Sequence, residues 1–113
     1  MWLYGLRQNE ENRTNLAIVN SSEVDASEDG FQIDLYDGDS GLKVATVPEF
    51  RLEARGWRQF NSLHLEYAPG VTQAYANIRR TLGDNPFLAY AVINDGGRPG
   101  DRTGDGSFLS GRP

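Results

Sequence analysis

Val71-Thr72-Gln73-Ala74-Tyr75-Ala76-Asn77-Ile78-Arg79-Arg80-Thr81-Leu82 is the stretch on which the fold turns. Two periodicities compete in it. At helical spacing, Val71, Ala74, Tyr75, Ile78 and Leu82 share a face, and Pro69-Gly70 and Gly83 frame the segment. At period two, Ala74, Ala76 and Ile78 point one way, and Tyr75, Asn77 and Arg79 the other. The strand reading is preferred, because the next segment, Phe87 to Ile93, is strongly β-like. Between them, Gly83-Asp84-Asn85-Pro86 reads as a hairpin turn. A hairpin costs little loop-closure entropy, whereas a lone helix needs a sheet face left free to receive it.

Working outward, the same period recurs. Phe31-Gln32-Ile33-Asp34-Leu35-Tyr36-Asp37 alternates, with Phe31, Ile33 and Leu35 inward. Asp37-Gly38-Asp39-Ser40-Gly41 follows as a turn, and Leu42 to Val47 as the return strand. Leu16-Ala17-Ile18-Val19 is a short apolar run of the kind covered on both faces. Pro48 demotes any continuation beyond Val47 to an edge or a bend. Phe50-Arg51-Leu52 and Trp57-Arg58-Gln59-Phe60 give two further short strands, and Ser107-Phe108-Leu109 a last one. Seven to eight strands about ten residues apart predict an all-β, antiparallel β-sandwich. It forms a single domain over residues 1–113. Turn formers fill residues 95–106, which read as an exposed loop.

Composition narrows the function. The chain has 113 residues, with 11 Lys+Arg against 16 Asp+Glu, a net charge of −5, and no Cys. An acidic chain argues against a nucleic-acid partner, whose phosphates demand a basic face. Disulfides, thiol catalysis and thiolate metal sites are excluded, and no apolar run approaches the length of a membrane span. Met1 to Leu6 lack the pattern of a signal peptide. The two ends read as those of a domain excised from a larger protein.

Three stretches carry a family resemblance. They are Gly5-Leu6-Arg7-Gln8 running into Asn12-Arg13-Thr14-Asn15-Leu16-Ala17-Ile18-Val19-Asn20, then Arg55-Gly56-Trp57-Arg58-Gln59-Phe60-Asn61, then Ala89-Tyr90-Ala91-Val92-Ile93-Asn94-Asp95 with Arg102-Thr103-Gly104-Asp105-Gly106-Ser107-Phe108. Together they resemble the immunoglobulin-like β-sandwich module found near the C-terminal ends of secreted or surface proteins of bacteria. That module has an RTNLGLVN-like first core strand, a Gly-Trp-x-Gln segment and a closing AYASVVDN-RTGD-x-x-F stretch. This chain departs from it by extra residues, Gly96 to Asp101, in the closing stretch. The resemblance implies an extracellular or cell-surface accessory module: a non-catalytic spacer, or an adhesive module that meets neighbouring domains or another protein chain. No catalytic residues carry over. Thr14 and Asn15 are expected to satisfy backbone groups at a strand entrance.

Candidate chemistry is sparse. His64, the one imidazole, has no nucleophile motif beside it and reads as a loop or packing residue. Asp34, Asp37 and Asp39 lie on a hairpin, and Glu23, Asp25, Glu28 and Asp29 crowd one loop. Both groups read as solvated acidic surface rather than a glycosidase pair. Asp95, Asp101 and Asp105 are the candidate ligands of a structural calcium ion, and no other cofactor is implied. The aromatics argue for binding. Trp2, Tyr4, Trp57, Tyr67 and Tyr75 are candidates for a sugar-stacking surface, and Trp57, Gln59 and Asn61 at period two, with Tyr75, form the alternative reading, a carbohydrate-binding module. Against it, Trp57 is expected in the core or capping its end, because a sandwich of this size needs large side chains there. Trp2 and Tyr4 are placed against a neighbouring domain. Edge strands invite self-association.

Overall fold

Leu16, Ile18, Phe31, Ile33 and Leu35 have no exposed surface and Ile78 has 1%, so the period-two pattern decides which side chains leave water. In the computed structural model, which describes residues 1–23, 28–103 and 105–113, these residues face one another across two four-stranded antiparallel sheets. The strands are β1 (Trp2–Arg7), β2 (Asn12–Asn20), β3 (Asp29–Asp37), β4 (Lys43–Leu52), β5 (Trp57–Phe60), β6 (Gln73–Leu82), β7 (Phe87–Asp95) and β8 (Gly106–Ser110), with one short helix, α1 (Leu63–Tyr67). The first sheet runs β1-β6-β3-β4 and the second β5-β2-β7-β8. The molecule is an eight-stranded antiparallel β-sandwich.

The disputed stretch is a strand. Ala74, Ala76 and Ile78 are buried, while Tyr75 opposes Tyr36 and Asn77 opposes Asp34 on β3. The expected β6–β7 hairpin does not form. β6 pairs with β1 and β3, whereas β7 pairs with β2 and β8 on the other sheet. Gly83 to Pro86 is therefore a crossover between sheets. Buried Asp29 accepts the Asn85 amide at 3.1 Å, and Arg80 donates to the Asn85 carbonyl at 2.7 Å. Gly83, at φ 86°, lies so close that a Cβ there would run into the Asp29 carboxylate and the Glu28 carbonyl.

A second correction concerns Pro48. Phe50-Arg51-Leu52 is no separate strand: β4 runs through Pro48 to Leu52, with a register shift on β3 between Phe31 and Ile33. The strand tolerates Pro48 because β4 is the edge of its sheet, where a missing N–H need not cost a ladder bond. Phe31, Phe50, Phe60, Phe87 and Tyr67 interlock at the end of the core that α1 covers, with Phe31–Phe87 centroids 5.0 Å apart and Phe50–Phe60 5.3 Å. The Arg58 guanidinium sits over Phe50 at 5.0 Å and Phe60 at 4.6 Å, shielding ring faces that an edge strand leaves open.

The motif residues join the two sheets. Thr14 and Asn20, at either end of β2, are fully buried. The Thr14 hydroxyl is bonded to the Arg7 backbone of the opposite sheet, and the Asn20 amide donates to the Leu52 carbonyl at 3.0 Å. Asn15 accepts the Ser62 amide at 2.9 Å, fixing the start of α1. On the other side, the Trp2 and Arg112 backbones exchange hydrogen bonds of 2.5 and 2.8 Å, tying the β1 edge to the chain beyond β8.

Candidate functional site

Alternation puts large side chains on both outer faces as well as in the core. On the second sheet, β7 sends Ala89 and Ala91 inward, where both are buried. Leu88, Tyr90 and Val92 consequently face out. Trp57 opposes Val19, which opposes Leu88; Gln59 opposes Ala17, which opposes Tyr90; Asn15 opposes Val92, which opposes Phe108. Trp57 is 59% exposed, Leu88 59% and Phe108 65%, and Tyr90 stacks on Phe108 with centroids 5.4 Å apart. Apolar side chains from all four strands thus adjoin one another on this face, Trp57 and Val19 beside Leu88, and Tyr90 and Val92 beside Phe108.

This overturns the expectation that Trp57 is core. Phe60 fills the inward position of β5, and strand parity then turns Trp57 and Gln59 the other way. The Gln59 amide donates to Asn61 at 2.5 Å, so these two polar groups of the expected trio bond each other. Tyr75 lies on the opposite sheet, and the four proposed sugar contacts do not form one site. Tyr67 is half-buried against Phe60.

Tyr75 belongs instead to a cluster on the outer face of the first sheet. Trp2 and Tyr4 from β1, Tyr75 from β6 and Tyr36 from β3 are brought together by registers between strands far apart in sequence. Tyr36 and Tyr75 lie parallel, 5.0 Å apart; Tyr4 and Tyr75 are 5.7 Å apart and Trp2 and Tyr4 6.1 Å. Trp2 also touches Tyr36 and Tyr75. Beside them a groove of about 400 Å³ is lined by Tyr4, Tyr75, Arg7, Asn9 and Gln73. Of the four rings, Tyr36 alone carried no signal in the sequence beyond its place in an alternating strand, and nothing marked Arg7, Asn9 or Gln73 as binding residues.

Farther along the same face, Asp34 is 4% exposed. Burial pushes its carboxyl up, but hydrogen bonds from Arg79 (3.0 Å) and Thr46 (3.0 Å), with the charge of Arg79, outweigh this and hold it below the usual range. Asp37 caps its turn by accepting the Asp39 amide at 2.8 Å, and Glu28 lies 3.9 Å from Arg51. Asp25 lies outside the described residues.

Of the candidate calcium ligands, Asp95 is already occupied. It accepts the Thr103 hydroxyl at 2.7 Å and amide at 3.2 Å, and pairs with Arg102 at 2.7 Å. The Thr103 bonds and then the Arg102 charge keep its carboxyl below the usual range despite some desolvation. Among the described residues, no three His, Asp or Glu side chains gather as a metal-binding group. Gly96 and Gly97 are buried, unlike the exposed loop expected from 95: their amides bond to Glu11 (2.6 Å) and Glu10 (3.2 Å). Arg13 adds bonds to the Gly96 and Arg98 carbonyls.

His64 packs at the base of α1 with no exposed surface. Neither ring nitrogen has a hydrogen-bond partner among the described residues, and burial pushes the imidazole down to about 4. It is neutral near pH 7, with no hydroxyl or acid hydrogen-bonded to it.

No helix among the described residues is long and apolar enough to cross a membrane. No family model and no curated protein matches the chain. A solved crystal structure, Thermotoga maritima 1070, is similar to it: TM-score 0.55 and 14% identity, over 97% of this chain and 88% of that one. At that identity the likeness shows the β-sandwich and nothing finer.

Proposed function

We propose that the chain is a non-catalytic accessory module of an exported bacterial protein, and that it holds a protein partner on the outer face of the β5-β2-β7-β8 sheet. The partner is a neighbouring domain of the same polypeptide or another chain. One observation carries the reading: Trp57, Leu88 and Phe108 are each more than half exposed on a face where Val19, Tyr90 and Val92 join them in register. A contiguous apolar surface of this kind, centred on Trp and Tyr, is what partner contacts use. The exported location rests on the family resemblance alone.

The strand edges favour a face over an edge as the contact. β4 carries Lys43, Pro48, Glu49 and Arg51 along its exposed margin and β5 has four residues, devices that discourage strand addition. Hydroxyl-radical footprinting of the chain alone and within the exported parent protein is the test. Trp57, Leu88 and Phe108 are expected to lose reactivity in the parent, and Leu88→Lys with Phe108→Lys to restore it at Trp57. Equal reactivity of all three residues in both contexts would overturn the proposal.

A further inference from the structure

The aromatic cluster on the opposite sheet is left without a task by that reading, and it adjoins a groove. We propose that this groove binds a saccharide, with the exposed Tyr4 ring, backed by Tyr75, as the stacking wall and Arg7, Asn9 and Gln73 as the hydrogen-bonding side. The proposal is independent of the β5-β2-β7-β8 surface.

Three features of the groove select the ligand. A pyranose presents C–H groups on one face and hydroxyls around its rim, so its recognition calls for aromatic surface beside groups that donate and accept. Tyr4 is 54% exposed and is held within 29° of Tyr75 by stacking, which fixes the wall before any ligand arrives. Tyr75 itself lies between Tyr4 and Tyr36, its neighbours on β1 and β3, with Tyr36 at 5.0 Å and Trp2 at 6.1 Å.

The polar side is available. Asn9 uses its side-chain oxygen for the Glu11 and Asn12 amides, both at 2.8 Å, and this orients its amide group as a donor. The Arg7 guanidinium and the Gln73 amide have no hydrogen-bond partner among the described residues, and they offer a planar donor fork and a donor–acceptor pair to adjacent hydroxyls. The backbone makes room for a ring. Gly5, at φ 80°, marks the register shift between Leu3 and Leu6, and the bulge aims Tyr4 and Arg7 along the groove. Gly38 adds a wall without a side chain. A groove of about 400 Å³ suits one or two sugar units.

The test uses the whole chain carrying Trp57→Phe, so that Trp2 reports alone, titrated with hexasaccharides of β-1,4-linked glucose, xylose and N-acetylglucosamine and with a proline-rich decapeptide. At least one hexasaccharide is expected to change Trp2 emission, and its affinity to fall on the order of tenfold in Tyr4→Ala, a loss of one stacking ring. Gln73→Ala is expected to weaken it several-fold. Tyr4 and Gln73 are exposed, and circular dichroism checks that both variants fold. Three results overturn the proposal: no hexasaccharide binding at millimolar concentration, binding unchanged in Tyr4→Ala, or binding of the peptide alone.

Discussion

The hydroxyl of Thr14 accepts the Arg7 amide at 2.9 Å and donates to the Arg7 carbonyl at 2.7 Å, so one side chain closes both backbone groups of a residue on the facing sheet. Thr14→Val keeps the shape and removes both bonds, leaving the part-buried N–H and C=O of Arg7 without that partner. A loss of about 2 kcal/mol is expected in urea unfolding, with Thr14→Ser closer to the parent. An unchanged midpoint for Thr14→Val would show that the sheets are held together elsewhere.

His64 makes the fold sensitive to mild acid. Its native pKa of about 4 lies below the ordinary 6.5, so between those values the unfolded chain binds more protons. Stability is complete above about pH 6.5 and declines as pH falls towards 4, by up to about 3 kcal/mol. Denaturant melts across that window should show the decline, and His64→Leu should flatten it. The same slope in the variant would assign the effect to other groups.

Gly83 admits no side chain. Gly83→Ala places a Cβ against the Asp29 carboxylate and the Glu28 carbonyl at a positive φ. The expected cost is about 3 kcal/mol or more, with loss of amide protection at Asn85, measured by hydrogen exchange. Near-parental stability would mean that the crossover rearranges freely.

Calcium is expected to leave the melting temperature unchanged. Arg102 and Thr103 already satisfy the Asp95 carboxylate, and a ligand of the native state must stabilise it. Scanning calorimetry in millimolar calcium and in EDTA gives the comparison. An upward shift in calcium, lost in Asp101→Asn or Asp105→Asn, would contradict this.

The sheets were readable where local rules suffice. Phe31 to Asp37 and Gln73 to Leu82 reveal their inward faces by alternation alone. The pairing of β6 was not, because Gly83-Asp84-Asn85-Pro86 has hairpin chemistry, and it is a contact from Asp29, far away in the chain, that makes it a crossover. Trp57 was misplaced although the signal was present: Phe60 three residues on is the inward residue of β5, which leaves Trp57 outside. Ala89 and Ala91 flanking Tyr90 likewise pointed to bulky outward neighbours. The ring cluster depends on β1, β6 and β3 lying side by side in a register that no local pattern specifies.

Because the two aromatic surfaces lie on the outer faces of different sheets, they look in opposite directions, with the packed interior between them. Occupancy of one leaves the other free to be filled, so a glycan anchored on the tyrosines and a protein seated on Trp57 need not compete. On the two proposals together, the chain would act as an adaptor, a rigid shim that sets the spacing between two things it touches at once.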